Sequence, residues 1–335
     1  MKIADFDYLL SEDLIAKRPL EDRSSSRLLV LHRNGAVEHR TFSDIVSYID
    51  KGDMLIVNNT KVFPAKLIGL KKNGGSLEVL LVKEQSPGVW EVLSRGRYTG
   101  TLKFSDDFSA ELLNGDTARF QDPGNLFGRI WKYGNMPLPP YIKRSPDAKD
   151  KETYQTTYAK KEGSIAAPTA GLHFTGQLLR KIASQGLKIR ELTLHVGIGT
   201  FTPIRTENVE EHVMDTEYFE IAPELLSEIR DTKSSGHRVI TVGTTTTRAL
   251  EGFMSGHCTF FPQNGSIRGA TNIFIHPGYS FKACDSLITN FHLPRSTPLM
   301  LVSALCGRGK ILKAYQEAVA MRYRFLSYGD AMLIL

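Results

Sequence analysis

Four short segments gather side chains suited to polar chemistry. Ala167-Pro168-Thr169-Ala170-Gly171-Leu172-His173-Phe174-Thr175 sets an imidazole and an aromatic ring in flexible backbone with free N–H groups, just ahead of a helix start. His195-Val196-Gly197-Ile198-Gly199-Thr200-Phe201 lies at a strand's C-terminal end, the edge at which α/β sheets bind ligands. Gly243-Thr244-Thr245-Thr246-Thr247-Arg248 runs from strand into helix. There the helix dipole, the hydroxyls and Arg248 suit a carboxylate or a phosphate, although plain helix capping accounts for a threonine run equally well. Thr289-Asn290-Phe291-His292-Leu293-Pro294-Arg295-Ser296-Thr297 adds an amide, a second aromatic, another imidazole and a Pro-shaped turn. Polar residues this dense are costly to bury unless they pair with one another or with a ligand. A lone histidine is more often structural than catalytic, so His32, His39, His237 and His257 receive no functional reading. Similar loops at equivalent strand ends point to a site.

Several chemistries are disfavoured. Gly197-Ile198-Gly199-Thr200-Phe201-Thr202 lacks the third glycine and the helix of a dinucleotide fingerprint. Gly307-Arg308-Gly309-Lys310 lacks the upstream glycine and the Ser/Thr of a phosphate loop. The nine histidines show no metal-ligand spacing, so no metal is expected. Cys258, Cys284 and Cys306 are odd in number and far apart, which argues against a disulfide framework, a redox pair or structural zinc.

The elements that must position these loops fall into three textures. Residues 1–60 hold a capped helix signal at Ser11–Ala16, a second helix at Thr41–Ile49 and a strand at Asp53–Val57. From Val62 to about Asp150 short alternating runs are separated by Asn73-Gly74-Gly75, Ser86-Pro87-Gly88, Asn114-Gly115-Asp116 and Asp122-Pro123-Gly124. That is the pattern of a small barrel or sandwich. Pro137-Leu138-Pro139-Pro140 and Lys143–Glu152 then read as an exit linker. The remainder alternates helix and strand. Because the first segment holds too little core to stand alone, residues 1–60 and 152–335 are expected to form one discontinuous α/β domain. Residues 61–151 are expected to be an inserted all-β, barrel-like domain.

Composition agrees with a globular chain: 41% apolar, 23% charged, formal net charge +6 over 335 residues. No apolar run reaches the ~18 residues of a membrane span, and the acidic start is not that of a signal peptide. The expectation is a cytoplasmic protein. The segment 61–151 carries 15 basic and 10 acidic side chains, and Arg308, Lys310, Lys313, Arg322 and Arg324 form a second basic stretch. Such a field suits RNA, although a solvated surface is the commoner explanation.

Asn58-Asn59-Thr60-Lys61-Val62-Phe63-Pro64-Ala65, the first two loops above, Val242-Gly243-Thr244-Thr245, Thr289-Asn290-Phe291-His292-Leu293-Pro294 and Tyr323-Arg324-Phe325 through Tyr328-Gly329-Asp330-Ala331-Met332 carry a further signal. Together, and in order, they resemble the S-adenosylmethionine:tRNA ribosyltransferase-isomerases. The likeness runs from Asp5-Phe6-Asp7-Tyr8 to the C-terminus and is loosest in the β-rich middle. It implies transfer of the ribosyl part of S-adenosylmethionine onto 7-aminomethyl-7-deazaguanine at the tRNA wobble position. The product would be epoxyqueuosine, with adenine and methionine released. It also implies a discontinuous α/β domain with an inserted barrel, S-adenosylmethionine as cosubstrate, no prosthetic group or metal, and a tRNA anticodon loop as partner. A monomer is expected. His212-Val213-Met214-Asp215-Thr216-Glu217 departs from the family's His-x-Met-His-x-Glu, since Asp215 replaces an imidazole; His212 and Glu217 stay candidates.

Within that resemblance His173, His195, Asn290 and His292 are the expected catalytic side chains. Either His173 or His195 would take the proton beside the sulfonium, while Asn290 and His292 would serve departing adenine. Pro168, Thr169, Gly171, Phe174, Gly197, Gly199, Phe201, Thr244, Thr245 and Arg248 are expected to bind the cosubstrate, with Phe174 or Phe201 facing the sulfonium. Two other classes compete: a methyltransferase, which would release S-adenosylhomocysteine, and an RNA-binding protein that consumes no cosubstrate.

Overall fold

The computed structural model describes residues 1–335 apart from Ile198, 200–203, Arg205 and Asn264. The N-terminal part supplies strands β1 (Arg27–Leu31), β2 (Val37–Thr41) and β3 (Met54–Asn58). A short strand, β4 (Thr60–Val62), leads into the middle segment. There β5 (Lys66–Leu70), β6 (Ser76–Ser86), β7 (Val89–Ser94), β8 (Gly100–Ser105), β9 (Phe108–Leu113) and β10 (Thr117–Phe120) close into a barrel. Their side chains alternate, buried against exposed, as a closed sheet filled by one face requires. Helix α1 (Leu126–Tyr133), which the sequence analysis missed, adds Leu126 and Ile130 to that interior.

The chain then returns through helix α2 (Asp150–Thr153) and strand β11 (Lys161–Ser164), which pairs in parallel with β4. Helix α3 (Gly176–Ser184), strands β12 (Lys188–His195) and β13 (Glu217–Ile221), helix α4 (Pro223–Ser234), strand β14 (Val239–Val242) and helix α5 (Thr244–Met254) follow. Last come β15 (Thr259–Gln263), β16 (Ser266–Thr271), β17 (Ser286–Asn290), helices α6 (Thr297–Cys306) and α7 (Arg308–Ala320), and β18 (Ala331–Ile334). Ten strands form one mixed sheet in the order β15-β16-β13-β12-β3-β14-β17-β18-β1-β2, so its strands come from both sides of the barrel in sequence.

The central strands are apolar on both faces because helices cover both. Along β3, Leu55 and Val57 pack towards α3 with Leu178 and Ile182. Met54 and Ile56, one residue out of phase, pack with Leu225 and Ile229 of α4 and with Ala249 and Leu250 of α5. This is the period of two expressed on a sheet buried twice.

Three sequence expectations change. The helix expected at Ser11–Ala16 is a single 3-10 turn, Glu12–Leu14, because Ile15 is held extended by bridging Phe325. The one expected at Thr41–Ile49 is a 3-10 turn too, Phe42–Ser47. The stretch read as an exit linker is folded core. Asp150 is fully buried, and the Arg144 guanidinium grips both its oxygens at 2.6 and 2.7 Å. Met136, Ile142 and Tyr154 pack with Ala167, Leu172 and Tyr328.

Candidate active site

Strands β12, β3, β14 and β17 run parallel, so their C-terminal ends share one edge of the sheet. Antiparallel β18 brings its N-terminal end to the same edge. The loops leaving that edge surround a cavity of about 730 Å³, open mouth included. Pro168 and Thr169 line it from the loop after β11, Val196 from the end of β12, Gly243, Thr244 and Thr245 from the start of α5, and Asn290, Phe291 and His292 from the end of β17. Leu326 and Ser327, just before β18, Tyr141, between the two stretches of the supposed linker, and Tyr154, just past it, complete the wall. Gly243 has φ +88°, which lets β14 turn straight into α5 and leaves the first-turn N–H groups at the cavity.

Asn290 is the most constrained group. Its Nδ2 donates to Leu326 O at 3.0 Å and meets His173 Nε2 at 3.2 Å. A carbonyl can only accept, so the amide nitrogen must face Leu326, and Oδ1 is left buried without a partner. Leu326 holds a left-handed φ of 68°, strain of the kind concentrated at functional sites. With Nε2 accepting, the His173 proton sits on Nδ1 and points at Ser26 Oγ, 2.7 Å away. Ser26 in turn donates to Arg23 O at 3.3 Å. Burial first, then the charges of Arg324 and Arg23, push the His173 pKa down to about 3. A base so weak is mismatched to neutral pH. The geometry ties the His173 ring to the Asn290 amide.

His292 also lines the cavity. Its Nε2 lies 2.9 Å from Thr289 Oγ1, its backbone N–H donates to Tyr315 Oη at 3.1 Å, and Tyr8 Oη donates to its carbonyl. Burial pushes its pKa down to about 3, so it too is neutral near pH 7. A further buried lining atom, Thr245 Oγ1, has no hydrogen-bond partner. Unpaired buried polar atoms are rare in folded proteins, because each costs on the order of 1–3 kcal/mol. Two around one cavity are what a polar ligand would satisfy.

Beyond Thr244, Thr245 and Pro298 the cavity adjoins a smaller apolar pocket that ends at Arg248. The Arg248 guanidinium is buried, donates through Nη1 to Glu217 and through Nε to Ile273 O at 3.2 Å. The segment 212–217 thus splits. Met214 lines the pocket, Glu217 holds Arg248, and His212 sits edge-on against Phe274 with a pKa lowered chiefly by burial. Asp215 packs on Gly199, where a Cβ would come within 2.2 Å of Oδ2.

Other expected site residues lie elsewhere. Phe174 is fully buried edge-on against Phe42 and belongs to the core under α3, so it faces no ligand. Gly171 is a packing glycine, since a Cβ there would meet Tyr158 Oη at 2.0 Å. His195 turns from the cavity towards Thr60, its Nδ1 2.9 Å from Oγ1, and its ring fills the space beside Gly163. Burial lowers its pKa as well. Gly197 follows β12 with open space at its Cβ position but outside the cavity lining. Phe201 lies outside the described residues. The residues sequence reasoning missed are Tyr141, Tyr154, Leu326 and Ser327; Tyr141 directly follows a proline-rich stretch, Tyr154 lies just past the expected linker, and the last two sit in a turn without catalytic side chains. Among the described residues no group of three or more His, Cys, Asp or Glu could hold a metal ion, and no helix is long and apolar enough to cross a membrane.

Residues 3–334 match the model of a family described as queuosine biosynthesis protein. The chain belongs to the queuosine biosynthesis protein family. An S-adenosylmethionine:tRNA ribosyltransferase-isomerase of Thermodesulfovibrio yellowstonii is 54% identical over 349 residues, covering 100% of both chains. A protein of the same name from Staphylococcus haemolyticus is 47% identical over 347 residues, again with 100% of both covered. The crystal structure of S-adenosylmethionine tRNA ribosyltransferase from Thermotoga maritima superposes with a TM-score of 0.57 at 36% identity, covering 99% of this chain and 100% of that one. Membership of the queuosine family therefore spans both the mixed sheet and the barrel.

Proposed function

We propose that this chain is an S-adenosylmethionine:tRNA ribosyltransferase-isomerase. It moves the ribosyl part of S-adenosylmethionine onto 7-aminomethyl-7-deazaguanine at the tRNA wobble position and releases adenine and methionine. The observation that carries this reading is the cavity at the parallel strand ends, lined by two unpartnered polar atoms, in a chain that matches its relatives from end to end. The substrate amine is the nucleophile, so the chain needs no nucleophilic Ser or Cys. Its residues bind and orient. Asn290 Oδ1, fixed by His173 and Leu326, is an acceptor for a substrate N–H or O–H. His292, held by Thr289, offers a neutral imidazole to the leaving base. Thr245 adds a hydroxyl, and Tyr141, Tyr154 and Phe291 supply ring faces to a sulfonium in place of Phe174. Pro168, Thr169 and Thr244 shape the wall.

In this reading residues 1–60 plus 152–335 are the catalytic domain, residues 61–151 are the inserted barrel, and a monomer acts on the anticodon loop in the cytoplasm. Lys72, Arg95 and Arg97 on the barrel are exposed and form no ion pair among the described residues, which leaves them available to phosphates. The second basic stretch is less available: Arg308 pairs with Asp5, Arg322 with Asp13, and Arg324 donates to Arg18 O.

The test is one reaction mixture containing S-adenosylmethionine and tRNA bearing the aminomethyl base. Adenine and methionine should appear in equal amounts. S-adenosylhomocysteine instead would identify a methyltransferase and overturn the reading.

A further inference from the structure

Arg248 is over nine-tenths buried, and one end of its guanidinium is unspent. Nη1 and Nε serve Glu217 and Ile273 O, while Nη2 has no hydrogen-bond partner. The group that Nη2 lacks must be an acceptor, and a fixed cation favours an anionic one. The pocket it borders measures about 370 Å³, open mouth included, and is walled mostly by apolar side chains, among them Met214, Ile273, Ile275 and Leu301. An RNA phosphate, flanked by sugars on both sides, does not fit so closed a space. A carboxylate at the end of a short chain needs less room. The pocket opens to the cavity across Thr244, Thr245 and Pro298, which line both. Thr245 Oγ1, also buried and unpartnered, stands at that junction, in the first turn of α5 where the helix dipole favours negative charge.

We propose that the Arg248 pocket is the subsite for the α-carboxylate of S-adenosylmethionine, with the methionyl chain crossing the Thr245–Pro298 junction and the adenosyl part in the larger cavity. This rests on the reading of the cavity as the S-adenosylmethionine site. Arg248 thereby determines specificity, because it separates ligands with an amino-acid tail from those without one. Glu217 positions Arg248 by holding Nη1, which leaves Nη2 turned to the pocket.

Three ligands titrated calorimetrically into the full-length protein test this. They are S-adenosylhomocysteine, its methyl ester, and 5′-methylthioadenosine, which lacks the amino-acid tail. S-adenosylhomocysteine should bind about 10–100-fold more tightly than either of the others, the range for a charge-assisted hydrogen bond to a buried group. In Arg248→Gln that advantage should shrink to within about threefold. Arg248→Lys, which keeps the charge, should retain part of it. If the ester binds wild type as tightly as the acid, the subsite assignment is wrong while the cavity reading stands, and this comparison holds even where a variant fails to fold. If no adenosine ligand binds wild type, the cavity reading itself fails and takes the subsite with it. An undiminished acid preference in folded Arg248→Gln assigns the carboxylate to another residue and overturns the proposal.

Discussion

Inside the barrel, polar groups are few and the interior is packed apolar surface; at the cavity edge of the large sheet, polar groups are many and several are left unpaired. Among the described residues the barrel holds one buried side-chain polar atom without a partner, Trp90 Nε1. Thr245 Oγ1 and Asn290 Oδ1 line the cavity without one, and Arg248 Nη2 borders its inner pocket. None of the nine histidines falls between residues 61 and 151, whereas two at the edge have pKa values pushed down to about 3. The contrast separates a scaffold that completes itself from a surface that another molecule completes. Stability forgone at the edge is stability a ligand restores on binding.

Replacing the edge's central group should have the largest effect. Asn290→Ala is expected to lower kcat about 10²-fold, the scale on which small losses of substrate position act. The comparison predicts a much smaller loss for His195→Ala, whose ring faces Thr60. Equal losses in single-turnover assays would place His195 back in the site.

Acid should next distinguish the two regions. A buried histidine that stays neutral in the folded state binds fewer protons than in the unfolded chain, where its pKa is about 6.5. The stability is therefore full above about pH 6.5 and is lost as pH falls towards about 3. Each of His173 and His292 contributes a slope of about 1.4 kcal/mol per pH unit in that window. Urea unfolding at pH 7, 6 and 5, followed by hydrogen exchange, should show the α/β part weakening before the barrel. His173→Gln should flatten the dependence by about 1.4 kcal/mol per pH unit in that window. A barrel that weakens in step would break the contrast.

Charge reversal tests the barrel's own role. Lys72→Glu, Arg95→Glu and Arg97→Glu together should weaken tRNA binding about tenfold or more and make the salt dependence shallower, leaving S-adenosylhomocysteine binding unchanged. No change in the salt slope would reduce those residues to solvated surface.

The smallest effect carries the sharpest logic. Thr245→Val removes an unpaired buried hydroxyl and keeps the side chain's shape. It should raise stability by about 1 kcal/mol while lowering kcat/KM for S-adenosylmethionine several-fold. A variant that is both less stable and fully active would show that the hydroxyl is satisfied within the protein.

Much of this was legible before any coordinates. The turn pairs Asn73-Gly74 and Asn114-Gly115 mark barrel hairpins because only a few residues accept positive φ. Thr175 does cap α3, accepting from Leu178 N at 3.1 Å, and α5 spans Thr244–Met254 as expected. Parallel strands put the segments ending at Val242 and Asn290 on one edge, so the sequence was enough to bring Thr244, Thr245, Asn290 and His292 together. Local pattern and chain order determine such features, since they depend on propensity and on which ends of parallel strands coincide. Which way a side chain turns at that edge is a tertiary matter. His173 and His195 look alike in sequence, yet one holds Asn290 and the other faces Thr60. Phe174 went to the core because Phe42, 132 positions earlier, packs against it. Tyr154 and Leu326 reached the cavity only through long-range packing around Leu172 and Phe291. Contacts between segments far apart in the chain leave no period or spacing behind, so these assignments belong to the folded structure alone.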